Sequence, residues 1–216
     1  MVQVKRRDAA DFLMALALVA LGLSACGSAP PVPSDRFYSL EPTPLPGPAG
    51  APAPATLLVN PLGARGFLGG RQIVYRTREE PRVVQRYDAL LWADPPPGAV
   101  SRALAEGLQA AEVFQLVAVP ADRARADYLL GGELERFEHL PTDRPPRVAV
   151  AFNLVLVRAD TREAILSRRY AGEEPVDGDV PEAMVAAFDR LLARLVAESA
   201  RDLQTLKPRL DRTRSP

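Results

Sequence analysis

One run of alternating residues constrains the fold of this chain more than any other feature. From Val148 to Val157 the sequence reads VAVAFNLVLV, and both alternating sets of side chains are mostly apolar. In an extended strand, successive side chains point to opposite faces of the sheet. A strand that is apolar on both faces is covered on both sides or lies at the centre of its sheet. The pattern therefore predicts a fold built around a buried β-sheet.

Other segments predict the remaining strands and two helices. Leucine and valine at three- and four-residue steps predict a helix from Val100 to Ala111. A longer apolar stripe predicts a final helix that includes Met184 to Leu203, with Asp179 as its N-cap and Pro181 in its first turn. Strands are predicted at residues 56–60, 72–77, 82–87, 113–119, 128–138 and 164–170, with a bulge at Gly131-Gly132.

The order of these elements predicts an α+β fold class. We expect a single two-layer domain with a mixed, mostly antiparallel sheet and two main helices on one face. Residues 56–207 are expected to form this domain, since their number is typical of one domain. Residues 208–216 are expected to form a flexible C-terminal tail.

The first 25 residues have the composition of an export signal, with a basic start at residues 5–7 and an apolar core at residues 12–23. A helix over residues 12–25 would span about 21 Å, which is short of the roughly 30 Å hydrocarbon core of a bilayer. The tetrad LSAC at its end resembles the bacterial lipobox, which implies signal cleavage between Ala25 and Cys26 and lipid attachment to the Cys26 thiol. The alternatives are a secretory signal with a cysteine near its cut by accident, or an N-terminal membrane anchor.

Residues 26–55 are predicted to form a lipidated N-terminus and a proline-rich tether. Such a composition favours extended polyproline conformations. One island, Phe37–Leu40 (FYSL), interrupts the prolines and predicts a short edge strand. The prolines stand at positions 30, 31, 33, 42, 44, 46, 48, 52 and 54.

The residue types that carry catalysis and metal binding are scarce. Cys26 is the only cysteine, and the only histidine is His139, in a turn signal where we expect it to be solvated. Zinc needs three or four ligands drawn mainly from these two residue types, so we predict no metal site. The glycine-rich segment Gly63–Gly70 lacks the lysine and Ser/Thr of a phosphate loop and predicts a mobile loop. We expect no enzymatic activity and no cofactor.

Charge further limits the class of partner. The chain has 27 basic and 27 acidic residues and a formal net charge of zero. Nucleic-acid binders normally show a basic excess or stripe that neutralises phosphates. The sequence therefore predicts a protein that acts by binding or assembly and that does not bind nucleic acid.

Several motifs, in their order along the chain, resemble the ABC-type transport auxiliary lipoproteins, the PqiC-like proteins. After the LSAC tetrad, the proline-rich tether and FYSL come Ile73–Arg76 (IVYR), then Tyr87 and Trp92, and then Pro95-Pro96 before the leucine-spaced helix. The resemblance extends over nearly the whole mature chain. The long insert Pro42–Pro54 and the arginine-rich surface depart from the family pattern and are expected to alter how partners dock.

The resemblance implies a lipoprotein of the Gram-negative envelope. Its implied partners are an MCE-domain protein and an ABC permease and ATPase complex, which together move phospholipids or related apolar molecules. Membrane attachment is implied to occur through N-terminal acyl chains, and two or three such chains hold a protein on a bilayer essentially permanently. Glycine rather than aspartate follows Cys26, which favours the outer membrane, with the domain facing the periplasm.

Tyr87 and Trp92 are the predicted partner contacts, because large aromatic residues are common anchors at interfaces. The alternative is that Tyr75, Tyr87 and Trp92 pack the sheet edge against the first helix. An alternative function is also open, in which an outer-membrane lipoprotein of this architecture assists the assembly of a cell-wall synthase or a secretion pore.

Overall fold

Two long neighbouring strands organise the sheet of this protein. The structure is a computed structural model and describes residues 34–46 and 51–210. The nine strands within these ranges are β1 (Arg36–Tyr38), β2 (Ala53–Val59), β3 (Gly63–Ala64), β4 (Gln72–Tyr75), β5 (Gln85–Trp92), β6 (Phe114–Ala118), β7 (Tyr128–Leu140), β8 (Arg147–Arg158) and β9 (Ala164–Pro175). The helices are α1 (Pro96–Ala110), α2 (Pro181–Thr205) and the short α3 (Lys207–Leu210), with 3-10 turns at Gly66–Gly69 and Pro120–Asp122.

Strand β7 lies at the branch point of the sheet. One of its edges pairs antiparallel with β8 from Tyr128 to Leu140, and β8 in turn pairs antiparallel with β9. Its other edge is shared by three strands, which all run parallel to it: β2 near residues 128–130, β3 near residues 133–134 and β4 near residues 138–139. Strand β6 extends the β2 branch, whereas β5 and then β1 extend the β4 branch. The result is a curled mixed sheet in one α+β domain, which confirms the predicted fold class.

The apolar run that predicted a central strand is β8. Val148, Val150, Phe152, Leu154 and Leu156 face the helices and are at most 1% exposed. The alternate residues face the other side of the sheet. Since β8 lies between β7 and β9, its prediction as a central strand is confirmed.

Helices α1 and α2 pack on each other as well as on the sheet. A side chain at Gly107 of α1 would place its Cβ only 2.3 Å from a Cγ1 atom of Val196 in α2. Glycine at this position therefore permits the close approach of the two helices. Both helices contribute to one core with the inward-facing strand residues.

Some predicted boundaries are wrong. The last helix begins at Pro181 with Val180 as its N-cap, so Asp179 does not cap it. The irregularity in β7 lies between Leu134 and Arg136, not at the predicted glycine pair. The predicted loop 63–70 contains strand β3 and a 3-10 turn.

The ends of the domain also extend beyond the predicted limits. The predicted edge strand at FYSL is found as β1, which pairs parallel with β5 at the edge of the sheet. Strand β2 begins at Ala53, inside the predicted tether. The predicted flexible tail is ordered as far as Leu210, whose side chain is 4% exposed and whose backbone oxygen accepts a hydrogen bond from Tyr128 at 3.0 Å.

Candidate functional site

The apolar groove beside strand β5 is the candidate site of this protein. It has a volume of about 310 Å3. We define the apolar groove by its eight apolar residues, one histidine, one glycine and one aspartate: Tyr87, Leu90, Pro141, Pro146, Val176, Val180, Pro181, Met184, His139, Gly178 and Asp179.

Three parts of the fold bring these side chains together. Strand β5 supplies one wall, the end of β7 and the following turn supply the second, and the start of α2 supplies the third. Gly178 lies in the turn that leads to α2 and has a φ of +131°, a conformation that residues with a Cβ rarely adopt. This turn presents Val180 at the groove, where Val180 is 58% exposed.

Tyr87 and His139 form the polar contact inside the apolar groove. The Tyr87 hydroxyl lies 2.7 Å from Nδ1 of His139, and the Tyr87 ring packs on Tyr75 with a centroid distance of 4.5 Å. Burial lowers the pKa of His139 to about 4. Burial, followed by the interaction with Tyr75, raises the pKa of Tyr87 to about 12. Both groups are therefore uncharged near neutral pH.

This pair gives the groove little capacity for acid–base chemistry. A general base needs a pKa near the working pH and a reacting group within hydrogen-bond reach. Nε2 of His139 is buried and has no hydrogen-bond partner among the described residues. Within residues 34–46 and 51–210, no group of three or more His, Cys, Asp or Glu residues could hold a metal ion. The arrangement suits the binding of an apolar group.

A second depression, of about 200 Å3, lies beside β2 and the start of β7 and differs in character. Arg125, Asp127, Arg158 and Asp160 line it together with a few apolar residues. Two arginines and two aspartates therefore give this depression a charged lining. We regard the apolar groove as the better candidate, because most of its lining residues are apolar and one of them, Val180, is 58% exposed.

The structure separates the two predicted partner contacts. Tyr87 lines the apolar groove, whereas Trp92 is 1% exposed and lies in the core. The Trp92 ring contacts Phe137 of β7 and Phe188 of α2 edge to face, at centroid distances of 5.4 and 5.3 Å. Direct contact between Trp92 and a partner stays a prediction that this burial disfavours, because a partner could reach the ring only by opening the core. Trp92 packs the sheet against α2 through Phe188, whereas the alternative interpretation of the sequence placed it against the first helix.

Among the residues of the apolar groove that were not predicted as site residues are His139, Val180 and Met184. His139 was expected in a solvated turn, but it is the penultimate residue of β7 and is half-buried. Met184 belongs to the predicted apolar stripe of the last helix, whereas no role was predicted for Val180. A signal for the groove was present in Val180, an apolar residue in an otherwise polar turn just before Pro181.

The predicted lipid attachment residue Cys26 and the cleavage residue Ala25 lie outside the described residues. Cleavage and acylation there remain predictions. In the part of the chain that the structure describes, no helix is long and apolar enough to cross a membrane.

A family model described as "ABC-type transport auxiliary lipoprotein component" matches residues 38–200. The match begins within β1 and ends within α2, so it includes every strand from β2 to β9 and all groove residues. The family description associates its members with ABC-type transport and describes them as lipoproteins, which suggests anchoring in the cell envelope.

Two solved structures are similar to this protein in fold, and one protein is similar to it in sequence. The solved structure of protein XCC0632 from Xanthomonas campestris superposes with a TM-score of 0.72 at 21% identity, covering 82% of this chain and 100% of that chain. A second solved structure, of an uncharacterized protein, has a TM-score of 0.58 at 17% identity, covering 80% and 97% of the two chains. An uncharacterized protein of Bradyrhizobium diazoefficiens is 31% identical over 108 residues, which are 50% of this chain but only 29% of that protein.

Proposed function

Because the chain belongs to the ABC-type transport auxiliary lipoprotein component family, we propose that it is a lipid-anchored periplasmic auxiliary protein of an ABC/MCE-type transport system. The system moves phospholipids or related apolar molecules across the Gram-negative envelope. The protein acts by binding its partners and not by catalysis. The single observation that carries this proposal is the family match over residues 38–200, which includes nearly all of the folded domain.

The proposed anchor is Cys26, whose thiol takes a diacylglycerol before cleavage between Ala25 and Cys26 frees its amine for a further acyl chain. A tetrad that resembles a lipobox follows the apolar core of an export signal, and a proline-rich segment separates it from the domain. Each buried methylene of an acyl chain adds about 0.8 kcal/mol of membrane affinity, so multiple chains give stable attachment. The proposed location is the outer membrane, with the domain in the periplasm.

The proposed partner contact is the apolar groove, with Tyr87 as the residue that the sequence already predicted. Interfaces have apolar centres and polar rims, and aromatic residues are enriched in them. The exposed Val180 and the half-buried Tyr87 provide such a centre. The proposed occupant is an apolar segment of the MCE-domain partner.

Photo-crosslinking in the native envelope tests this function. p-Benzoylphenylalanine placed at Val180 of the full-length, tagged protein is expected to crosslink to an MCE-domain protein or a permease subunit, identified by mass spectrometry. The same photoreactive residue at Arg201, which is exposed on α2, serves as the matched control. Crosslinks to a cell-wall synthase or a secretion pore, with no transport subunit, would favour the assembly alternative and overturn the proposal.

Metabolic labelling with an alkyne analogue of palmitate tests the anchor separately. The wild-type protein is expected to take up the label and to fractionate with outer membranes, whereas Cys26→Ser is expected to lose the label and to leave the outer-membrane fraction. Equal labelling of the two proteins would remove Cys26 as the attachment site.

A further inference from the structure

The outer face of the sheet, opposite α1 and α2, has a second surface of different character. Phe137 and its β8 neighbour Val150 point toward the helices, so Glu138 and its neighbour Ala149 point to the outer face. A cavity of about 220 Å3 lies on this face. We define the Phe67 cavity by its four apolar residues, five charged residues and one glycine: Phe67, Leu68, Val74, Val84, Arg65, Arg76, Arg136, Glu135, Glu138 and Gly66.

A network of ion pairs borders the Phe67 cavity and has more arginines than glutamates. Glu138, with a side chain 4% exposed, pairs with Arg136 and, at 2.7 Å, with Arg76. Glu173 pairs with Arg136 and Arg147 at 3.2 Å each. These three arginines share two glutamates, so the network keeps one positive charge that no carboxylate in it neutralises.

Two further arginines extend this positive character toward solvent. Arg86 lies over the Phe67 ring, 4.6 Å from its centroid, and donates to the side-chain oxygen of Gln72 at 2.8 Å, so its hydrogen-bond partner is neutral. Arg65 pairs with Glu133, but its side chain is 88% exposed. Three more carboxylates lie on this face: the exposed Asp88, Glu133, which pairs with Arg65, and Glu135, which pairs with Arg169. With them counted, six arginines face five carboxylates, and the excess is one positive charge.

Apolar surface accompanies this charge. Phe67 is 47% exposed and Val83, beside the cavity residue Val84, is 44% exposed. An exposed aromatic residue surrounded by arginines is typical of protein interfaces, where both residue types are enriched. Monomeric surfaces that combine these features commonly serve recognition.

The charges on this face restrict what could occupy the cavity. A second copy that presented the same face would bring two surfaces of net positive charge together, which is unfavourable. A continuous anionic lipid surface would also approach Glu133 and Glu135, which lie beside the same arginines. A peptide can instead place one carboxylate next to Arg86, whose hydrogen-bond partner is neutral, and another on the solvent side of Arg65, which is 88% exposed while it pairs with Glu133.

We propose that the Phe67 cavity binds an acidic segment of a protein partner, with an apolar side chain of that segment against Phe67 and its carboxylates on Arg86 and Arg65. This surface is separate from the apolar groove beside β5. The inference does not depend on which envelope machine the protein serves.

Photo-crosslinking from this face tests the inference. p-Benzoylphenylalanine at Phe67, and in a second protein at Val83, is introduced into the full-length tagged chain in its native envelope, and the crosslinked peptide is sequenced by mass spectrometry. The expected result is a protein segment in which aspartate and glutamate exceed lysine and arginine. Crosslinks to lipid, to a second copy of this chain, or to a neutral or basic segment would overturn the inference, as would no crosslink from either position.

Charge substitutions, added to the proteins that carry p-benzoylphenylalanine at Phe67 or Val83, provide a second test. Arg86→Glu is expected to lower the crosslink yield by about tenfold, because a like charge then meets the acidic segment. Arg86→Lys keeps the charge and is expected to retain the yield within about twofold. The matched control Arg201→Glu changes an exposed arginine on α2 and should leave the yield unchanged.

Thermal melting monitored by circular dichroism establishes that each variant is folded. An unchanged yield in folded Arg86→Glu protein would contradict the proposal. Crosslinks from Val180 are measured separately, so a failure at the Phe67 cavity is distinguishable from a failure of the proposed transport function.

Discussion

The two ends of strand β5 have opposite environments although the same kind of residue lies at each. Trp92, the last residue of β5, is sealed between β7 and α2. Tyr87, five positions earlier, lines the apolar groove and remains half-buried. The position of α2 explains the difference. Trp92 packs on Phe188 within α2 and stabilises the core, whereas Tyr87 lies beside the first turn of α2, which leaves it partly exposed and available for binding.

Trp92→Ala should have the largest effect, and it falls on stability. Removal of a fully buried tryptophan leaves a cavity and typically costs about 3–5 kcal/mol of unfolding free energy. Phe137 and Phe188 would lose their edge-to-face partner. Urea denaturation followed by circular dichroism measures this loss.

Partner capture by Trp92→Ala should decrease only as far as the folded fraction decreases. The control is capture at a temperature where both proteins are folded. A folded Trp92→Ala protein that captured much less partner would break the contrast between the two ends of β5.

Tyr87→Phe should have a smaller effect on stability and none on capture. The substitution removes the hydroxyl that contacts Nδ1 of His139 at 2.7 Å, and a half-buried group without its partner costs about 1–2 kcal/mol. The ring remains in the apolar groove, so the contact with an apolar segment is retained. Chemical denaturation and crosslinking from Val180 are the two measurements. A loss of crosslinking with unchanged stability would show that the hydroxyl itself contacts the partner.

His139 should make the unfolding free energy of the protein depend on pH. Burial lowers its pKa from 6.5 to about 4, so the unfolded chain takes up a proton at a higher pH than the folded chain does. The stability that neutral His139 contributes is present above pH 6.5 and is lost as the pH falls toward 4. With allowance for partial exposure, wild-type protein should lose about 1 kcal/mol more than His139→Gln between pH 6.5 and 5.

Asp189 changes stability in the opposite direction over part of this range. Burial raises its pKa to about 6, so its native state is favoured as the pH falls. Since Asp189 is present in both proteins, its contribution cancels when the wild type and His139→Gln are compared. Equal pH dependence of the two proteins would mean that His139 is solvated, as the sequence predicted.

The sequence was informative where periodicity alone decides the structure. The two-sided apolar run of β8 and the stripe of α2 predicted a central strand and a packed helix, because burial of these faces leaves few alternatives. The shift of β5 from the predicted 82–87 to Gln85–Trp92 was not predictable, because ALLW reads equally well as a strand end or a helix start. The capping pattern at Asp179 was also misleading, since Pro181 fixes the first turn and Val180 becomes the N-cap.

The candidate site was only partly predictable. Tyr87 was identified from its residue type, but Trp92 was assigned to the same surface because one-dimensional spacing does not show which residue the helix will cover. The groove itself combines β5, the end of β7 and the start of α2, which are far apart in the chain. The walls come together because the sheet branches at β7, and no local sequence pattern predicts that branching.

Val180→Ser should have the smallest effect on stability and a clear effect on binding. Val180 is 58% exposed, and substitutions at such surface positions usually change the unfolding free energy by less than about 0.5 kcal/mol. If the apolar groove holds an apolar segment of the partner, loss of this side chain should lower partner capture by roughly fivefold, as for a central interface contact. Leu116→Ser, at a 45% exposed position in β6, is the matched control and should leave capture unchanged. Equal capture by both variants would place the partner elsewhere and would leave Tyr87, like Trp92, a residue of the fold.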